Sequence, residues 1–242
     1  MSKIGVIAAL PAEARCLYPE KIDIASPSEI HSDIFLCLSG IGTESAYTAI
    51  EQLLSLEIDA LVSWGVAGAL DPSLKAGDLL IADSVIISDK NFQTSSDWLV
   101  NIKNYFLNIS LNPVIAPIAS IDAMSITNND KTVLHNNTGA LAVDMESAAI
   151  ADISSKHDLD FIVIRAIADE IDTPIPEVVT KYTNALGQPD FIPFVISCLK
   201  NPRQIKELIK LAKCYNKSIK TLKHCAYDLK KEHFLYNTQR FD

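Results

Sequence analysis

Glu146 and Asp169 are the acids around which this sequence is organised. Glu146 stands in Val143-Asp144-Met145-Glu146-Ser147-Ala148-Ala149-Ile150-Ala151, the head of an Ala-rich helical stretch, and Asp169 follows the apolar run from Phe161, which also carries Arg165. Such a run reads as a buried strand that delivers Arg165 and Asp169 at or just beyond its end. Acids at the two ends of one βα unit converge on the crevice outside the strand ends, where open α/β sheets take ligands, so both could act on one small molecule. A third acid, Glu13, lies in Leu10-Pro11-Ala12-Glu13-Ala14-Arg15, a turn from the first strand into a helix at the same edge. Each acid also has a plainer reading. Glu13 and Glu146 could simply complement a helix dipole, and Asp169 could cap a helix or pair with Arg165.

These acids need a sheet behind them. Lys3 to Ala9, Ile34 to Ser39, Ala60 to Ser63, Leu79 to Ile87, Pro113 to Ser120, Ala140 to Val143 and Asp160 to Ala166 read as strands, alternating with helical stretches such as Thr43 to Leu56. Gly40-Ile41-Gly42 forms a strand-to-helix turn, but it lacks the third glycine of dinucleotide spacing and a following acid for a ribose, which disfavours a Rossmann redox enzyme. Trp64-Gly65-Val66-Ala67-Gly68-Ala69-Leu70 reads as a glycine loop running off a strand end, suited to backbone contact with a substrate. Residues 88 to 112 read as a connection, polar at Ser88-Asp89-Lys90-Asn91 and then helical from about Ser96 to Leu107, either covering a substrate or simply solvated. Leu186 to Asp190 opens a helix to about Leu199, which Asn201-Pro202 breaks.

Composition narrows the class further. A chain of 242 residues that is 48% apolar can bury a sizeable core. Its apolar runs fall short of the roughly eighteen residues of a spanning helix, and Ile4 to Leu10 reads as a strand rather than a signal peptide. Five scattered cysteines (Cys16, Cys37, Cys198, Cys214, Cys225) without CxxC spacing suit a reducing cytoplasm. The histidines (31, 135, 157, 224 and 233) are dispersed, so a zinc hydrolase is poorly supported.

The net charge of −9 is unevenly spread: residues 1–199 hold 26 acids against 10 Lys/Arg, whereas residues 200–231 hold 10 Lys/Arg and only Glu207 and Asp228. From Arg203 to about His224, apolar Ile205, Leu208, Ile209, Ala212, Tyr215, Ile219 and Leu222 recur at helical steps, with lysines on much of the remaining circumference. That is an amphipathic basic helix. It suggests a body of residues 1–200 and an extension of residues 201–242 that either packs on the acidic body or makes peripheral contact with an anionic membrane through residues 203–224. Nucleic acid is not an expected partner.

Four segments carry a specific resemblance. Gly65-Val66-Ala67-Gly68-Ala69-Leu70, Leu74-Lys75-Ala76-Gly77-Asp78, Asp144-Met145-Glu146-Ser147-Ala148-Ala149 and Ile164-Arg165-Ala166-Ile167-Ala168-Asp169, in that order and spacing, resemble the nucleoside phosphorylase and nucleosidase superfamily. The likeness is to methylthioadenosine/adenosylhomocysteine nucleosidases and to the hopanoid-associated phosphorylase branch, which Gly187-Gln188-Pro189-Asp190 and the basic tail also resemble. It implies a three-layer α/β/α sandwich with a mixed central sheet, a homo-oligomer, and no cofactor. It also implies cleavage of a purine, adenine first, from a 5′-substituted adenosine, by water or by phosphate as co-substrate.

By the same resemblance, Asp169 is the general acid at purine N7, Glu146 binds the ribose hydroxyls and supports positive charge on the sugar, and Glu13 positions and deprotonates water. Met145 would pack on the ribose, Val66, Ala67 and Gly68 would face the substrate, and Met124 with Ser125 would occupy the base pocket. Two departures bear on the nucleophile. Phosphorylases of the superfamily place an arginine just before the glycine stretch, where this chain has Ser63-Trp64, and Val66 stands where many relatives have Ser or Thr. Losing a cation and a hydroxyl favours water over phosphate, with Arg15 as the remaining candidate for an anion. The rival expectation is a nucleoside-binding or membrane-associated protein that kept the fold without the catalysis.

Overall fold

A computed structural model describes residues 2–122, 127–173, 175–184, 186–188, 190 and 202–229. Its strands are β1 (Ile4–Ala8), β2 (Ser28–His31), β3 (Ile34–Leu38), β4 (Ala60–Ala69), β5 (Leu79–Ile87), β6 (Lys90–Gln93), β7 (Val114–Ser120), β8 (Ala142–Asp144) and β9 (Asp160–Asp169). The helices are α1 (Pro11–Leu17), α2 (Thr43–Leu54), α3 (Ser96–Asn108), α4 (Asn128–Thr138), α5 (Ser147–His157), α6 (Glu177–Lys181) and α7 (Pro202–Leu229).

The strands form one mixed sheet, β2-β3-β1-β4-β8-β7-β5-β6, and β9 pairs with both β4 and β5. That double pairing closes β4, β8, β7, β5 and β9 into a ring, parallel at β4–β9 and antiparallel at β5–β9. A strand hydrogen-bonded on both sides and covered on both faces has no polar side to show. This is why Ala60 to Val62 of β4 and Phe161 to Ile164 of β9 read as apolar runs without alternation.

Alternation still operates inside those runs. In β1, β4 and β9, Ile4, Val6, Val62, Trp64, Ile162 and Ile164 join the core under α1, α3 and α7. Their neighbours Ile7, Leu61, Phe161 and Val163 join the core under α2 and α5. The result is the three-layer arrangement with a mixed central sheet that the motifs imply. Trp64 is fully buried, and its indole nitrogen donates to the Glu13 carbonyl at 3.2 Å, tying β4 to α1.

Three sequence readings are corrected here. The glycine stretch Trp64–Ala69 is the second half of β4 rather than a loop, with a register shift between Ala67 and Gly68. Residues 90–93 form β6, an exposed strand paired with β5, instead of a polar connection. Helix α3 covers the core with Trp98, Leu99, Ile102 and Phe106, so it is a structural layer. Residues 128–138, which show no apolar periodicity, form α4, whose start is capped by reciprocal Thr127–Asp130 hydrogen bonds and whose end is Gly139 in the left-handed conformation. The expected helix to Leu199 lies outside the described residues.

Candidate active site

The end of β1 sets the first acid. Pro11 opens α1, which places Glu13 in its first turn with the carboxylate turned back over the strand end. Glu13 Oε2 accepts from the backbone N–H of Ala9 (3.1 Å) and Leu10 (2.8 Å), and Oε1 accepts from Val66 N–H (2.9 Å). The dipole-complementing reading is therefore part of the truth, because Glu13 does satisfy free N–H groups at a helix start. Yet it is only 2% exposed, and burial raises its pKa against the pull of Arg165 and of those backbone donors. Gly65 makes the close approach of Glu13 to β4 feasible: a Cβ there would lie 2.7 Å from Glu13 Oε1 and 3.0 Å from Arg165 Nη1.

The second acid stands where β8 gives way to α5. Glu146 is the N-cap of α5, buried, and its Oε1 accepts from Gly42 N–H at 2.9 Å. Thr43 Oγ1 donates to the Met145 carbonyl at 3.1 Å, so the Gly40–Gly42 turn anchors the Met145-Glu146 pair. Burial, then the neighbouring Asp144, pushes the Glu146 pKa up to about 7, while Arg165 and the Gly42 N–H act the other way.

Arg165 does not reach the strand end as expected. It lies within β9, opposite Gly65 on one side and Leu80 on the other, and pairs with Asp144 rather than with Asp169. Its Nε and Nη2 donate to Asp144 Oδ2 at 2.9 and 2.6 Å, and Nη2 also reaches Ser63 Oγ at 2.6 Å. Ser147 donates its hydroxyl to the same Asp144 oxygen. A buried charge needs this degree of compensation, and the network fixes the segment that carries Glu146.

Asp169 ends β9, and its partner is Lys131 of α4. Lys131 Nζ lies 2.5 Å from Asp169 Oδ2 and donates to the Glu170 carbonyl at 3.3 Å. Lysine 131 is 2% exposed and Asp169 7%. Burial raises the Asp169 pKa, and Lys131 opposes that rise by charge and by hydrogen bond. Gly68 lets the carboxylate lie against β4, since a Cβ there would stand 3.1 Å from both carboxylate oxygens.

Glu13, Glu146 and Asp169 line one cavity of about 610 Å³, together with Met145, Val66, Ala67, Gly68 and Arg15. That volume suits a nucleoside-sized ligand. Arg15 is exposed, at the rim. Met124 and Ser125 lie outside the described residues. Sequence reasoning missed Lys131; the signals available for its helix were the Thr127–Asp130 box and Gly139. It also missed the share of α7, whose Leu208, Leu211 and Tyr215 line the cavity beside Ile175 and Val179. Among the described lining residues the cations are Arg15 and Lys131, the latter committed to Asp169.

Residues 3–188 match the family model for the phosphorylase superfamily. Among solved structures, a 5′-methylthioadenosine/S-adenosylhomocysteine nucleosidase from Colwellia psychrerythraea in complex with adenine is 25% identical, with TM-score 0.61 over 72% of this chain and 85% of that one. The corresponding nucleosidase from Neisseria meningitidis, bound to methylthio-immucillin-A, gives TM-score 0.71 at 18% identity over 95% and 99% of the two chains. Futalosine hydrolase of Helicobacter pylori gives 0.66 at 20% identity over 94% and 98%.

Proposed function

Since this chain belongs to the phosphorylase superfamily, we propose that it is a purine nucleosidase, breaking the N-glycosidic bond of a 5′-substituted purine nucleoside with water as nucleophile. The observation that carries the reading is the meeting of Glu13, Glu146 and Asp169 on one cavity, each with its pKa raised by burial. In this reaction the C1′–N9 bond breaks, its electron pair leaves with the base, and Asp169 delivers a proton to N7. Ionised Glu146 accepts hydrogen bonds from the ribose hydroxyls and faces the positive charge that develops on the sugar. Water then forms the new bond to C1′ and gives its proton to Glu13.

Water is favoured over phosphate because the cavity wall is acidic: a phosphate would have to sit beside carboxylates, with Arg15 the cation not already paired among the described lining residues. An apolar 5′ substituent is favoured because Leu208, Leu211, Tyr215, Ile175 and Val179 wall the same cavity. An adenosyl lipid is the extreme member of that class, and methylthioadenosine and adenosylhomocysteine are smaller ones. Release of free base from these, from futalosine and from inosine, with and without phosphate, tests the proposal. No release from any of them leaves the rival, a nucleoside-binding protein without catalysis; release that requires phosphate makes the enzyme a phosphorylase.

A second reading concerns the tail. Ile205 and Ile209 on α7 are 40% and 51% exposed, beside exposed Lys206, Lys210 and Lys213. An apolar strip rimmed by lysines suits peripheral contact with an anionic bilayer.

A further inference from the structure

An ammonium beside the acid that meets the departing base bears on which base departs. Lys131 offers a ligand N–H donors and positive charge, and no acceptor. It is held in the cavity wall by Asp169 Oδ2 and the Glu170 carbonyl, so it cannot swing away without stranding a buried carboxylate. Every purine carries its C6 substituent next to N7. In a 6-aminopurine that substituent presents N–H groups, whereas in a 6-oxopurine it is a carbonyl oxygen.

We infer that Lys131 tunes the site to a nucleoside whose base bears a carbonyl at C6, rather than to the adenine that the sequence resemblance puts first. This rests on the nucleosidase reading above and names the base for it. With Asp169 at N7, the Lys131 ammonium beside it meets an acceptor if the base is 6-oxo and opposes an N–H group if it is 6-amino. The difference widens as the bond breaks. The electron pair released from C1′–N9 spreads over the purine and in a 6-oxopurine onto O6, where the ammonium neutralises it.

Lysine also compensates for what position 66 lacks. Val66 presents only its backbone N–H, and that is given to Glu13, so the Asp169 carboxylate is held from the α4 side instead. The opposite face of the carboxylate stays close to Gly68, which has no side chain to compete for it.

The test compares two substrates alike except at C6, 5′-methylthioinosine and 5′-methylthioadenosine, in the full-length wild type, Lys131→Met and Lys131→Arg. The expected result is a kcat/KM ratio favouring the 6-oxo substrate by about tenfold or more in the wild type, since unpaired buried donors discriminate strongly. That ratio should fall toward one, or invert, in Lys131→Met and persist in Lys131→Arg. A lysine that merely neutralised Asp169 would lower both rates together and leave the ratio unmoved, which would overturn the inference. A wild type that prefers the 6-amino substrate overturns it whatever the variants do. If neither nucleoside is cleaved, the nucleosidase reading fails, and calorimetric binding of free hypoxanthine against free adenine decides the inference alone. Tighter hypoxanthine supports it; equal or weaker binding sinks it. The same measurement decides if Lys131→Met does not fold.

Discussion

The proposed reaction asks Asp169 to hold a proton at a pH where Glu146 has already lost one, and burial raises the pKa of both carboxyls. Glu146 has its pKa pushed to about 7 by burial and by Asp144. If Glu146 and Asp169 act as proposed, activity should rise as pH climbs through about 7 and fall again once Asp169 deprotonates, giving a bell-shaped kcat/KM profile. Glu146→Gln should erase the acid limb and lower kcat by about a hundredfold or more.

Stability runs the opposite way to that limb. A carboxyl whose folded pKa lies above its ordinary 4.5 contributes fully below pH 4.5 and loses that contribution as pH rises toward about 7. Urea midpoints measured across that window should therefore decline in the wild type, by on the order of 3 kcal/mol in free energy, and decline less in Glu146→Gln. A flat wild-type profile would show that Glu146 ionises without cost. Asp169 poses a different problem, because its partner is buried too. At a pH where Asp169 is ionised and paired with Lys131, Asp169→Asn leaves the ammonium uncompensated and should cost about 3–5 kcal/mol of stability. Asp169→Asn combined with Lys131→Met should recover most of that loss while remaining inactive, which separates the loss of the acid from the loss of the fold.

At the scale of elements, β4 shows how a strand is shaped by what lies against it. Gly65 and Gly68 would ordinarily weaken a strand interior, and for that reason the sequence reads as a loop there. Their absent side chains are the space that Glu13, Arg165 and Asp169 occupy. Gly65→Ala should force the Glu13 carboxylate off the Val66 N–H, costing about 1–3 kcal/mol by overpacking and slowing turnover. Unchanged kinetics and melting in that variant would mean the strand can shift to make room.

The three acids were legible because each follows a run whose apolar pattern marks a strand end. Lys131 was not legible, because α4 is polar along its length and Lys131 is its one side chain counted as buried. It therefore carries neither helical nor strand periodicity, and only its caps betray it. The Arg165–Asp144 pair was invisible for another reason: its partners sit on different strands, and an arginine inside an apolar run looks like a strand terminus until the pairing of β9 with both β4 and β5 is known. β6 escaped because a four-residue edge strand with Phe92 as its one apolar side chain is too short to show alternation.

At the scale of the whole molecule, α7 belongs to the body along one stretch and projects an apolar face along another. Its later turns bury Leu222, Cys225 and Ala226 in the same core as Trp64 and Ile164, and Ser218 donates to the Ile167 carbonyl of β9 at 2.5 Å. Its earlier turns put Leu208, Leu211 and Tyr215 on the cavity while Ile205 and Ile209 face outward. The two halves should respond differently to substitution. Leu222→Ala removes a fully buried side chain and should cost about 2–5 kcal/mol, lowering the urea midpoint whether or not lipid is present. Ile205→Glu with Ile209→Glu changes only exposed positions, so the midpoint should move by no more than about 0.5 kcal/mol. If these earlier turns touch a membrane, the same pair should abolish sedimentation with anionic vesicles and leave turnover of a short water-soluble nucleoside intact. Vesicle binding as weak in the wild type as in the double variant would confine α7 to packing and to walling the cavity. Binding of a nucleoside with a long apolar 5′ chain would then rest on the cavity's own apolar wall, and truncating Leu208 or Leu211 to alanine should raise KM for that substrate while sparing the short one.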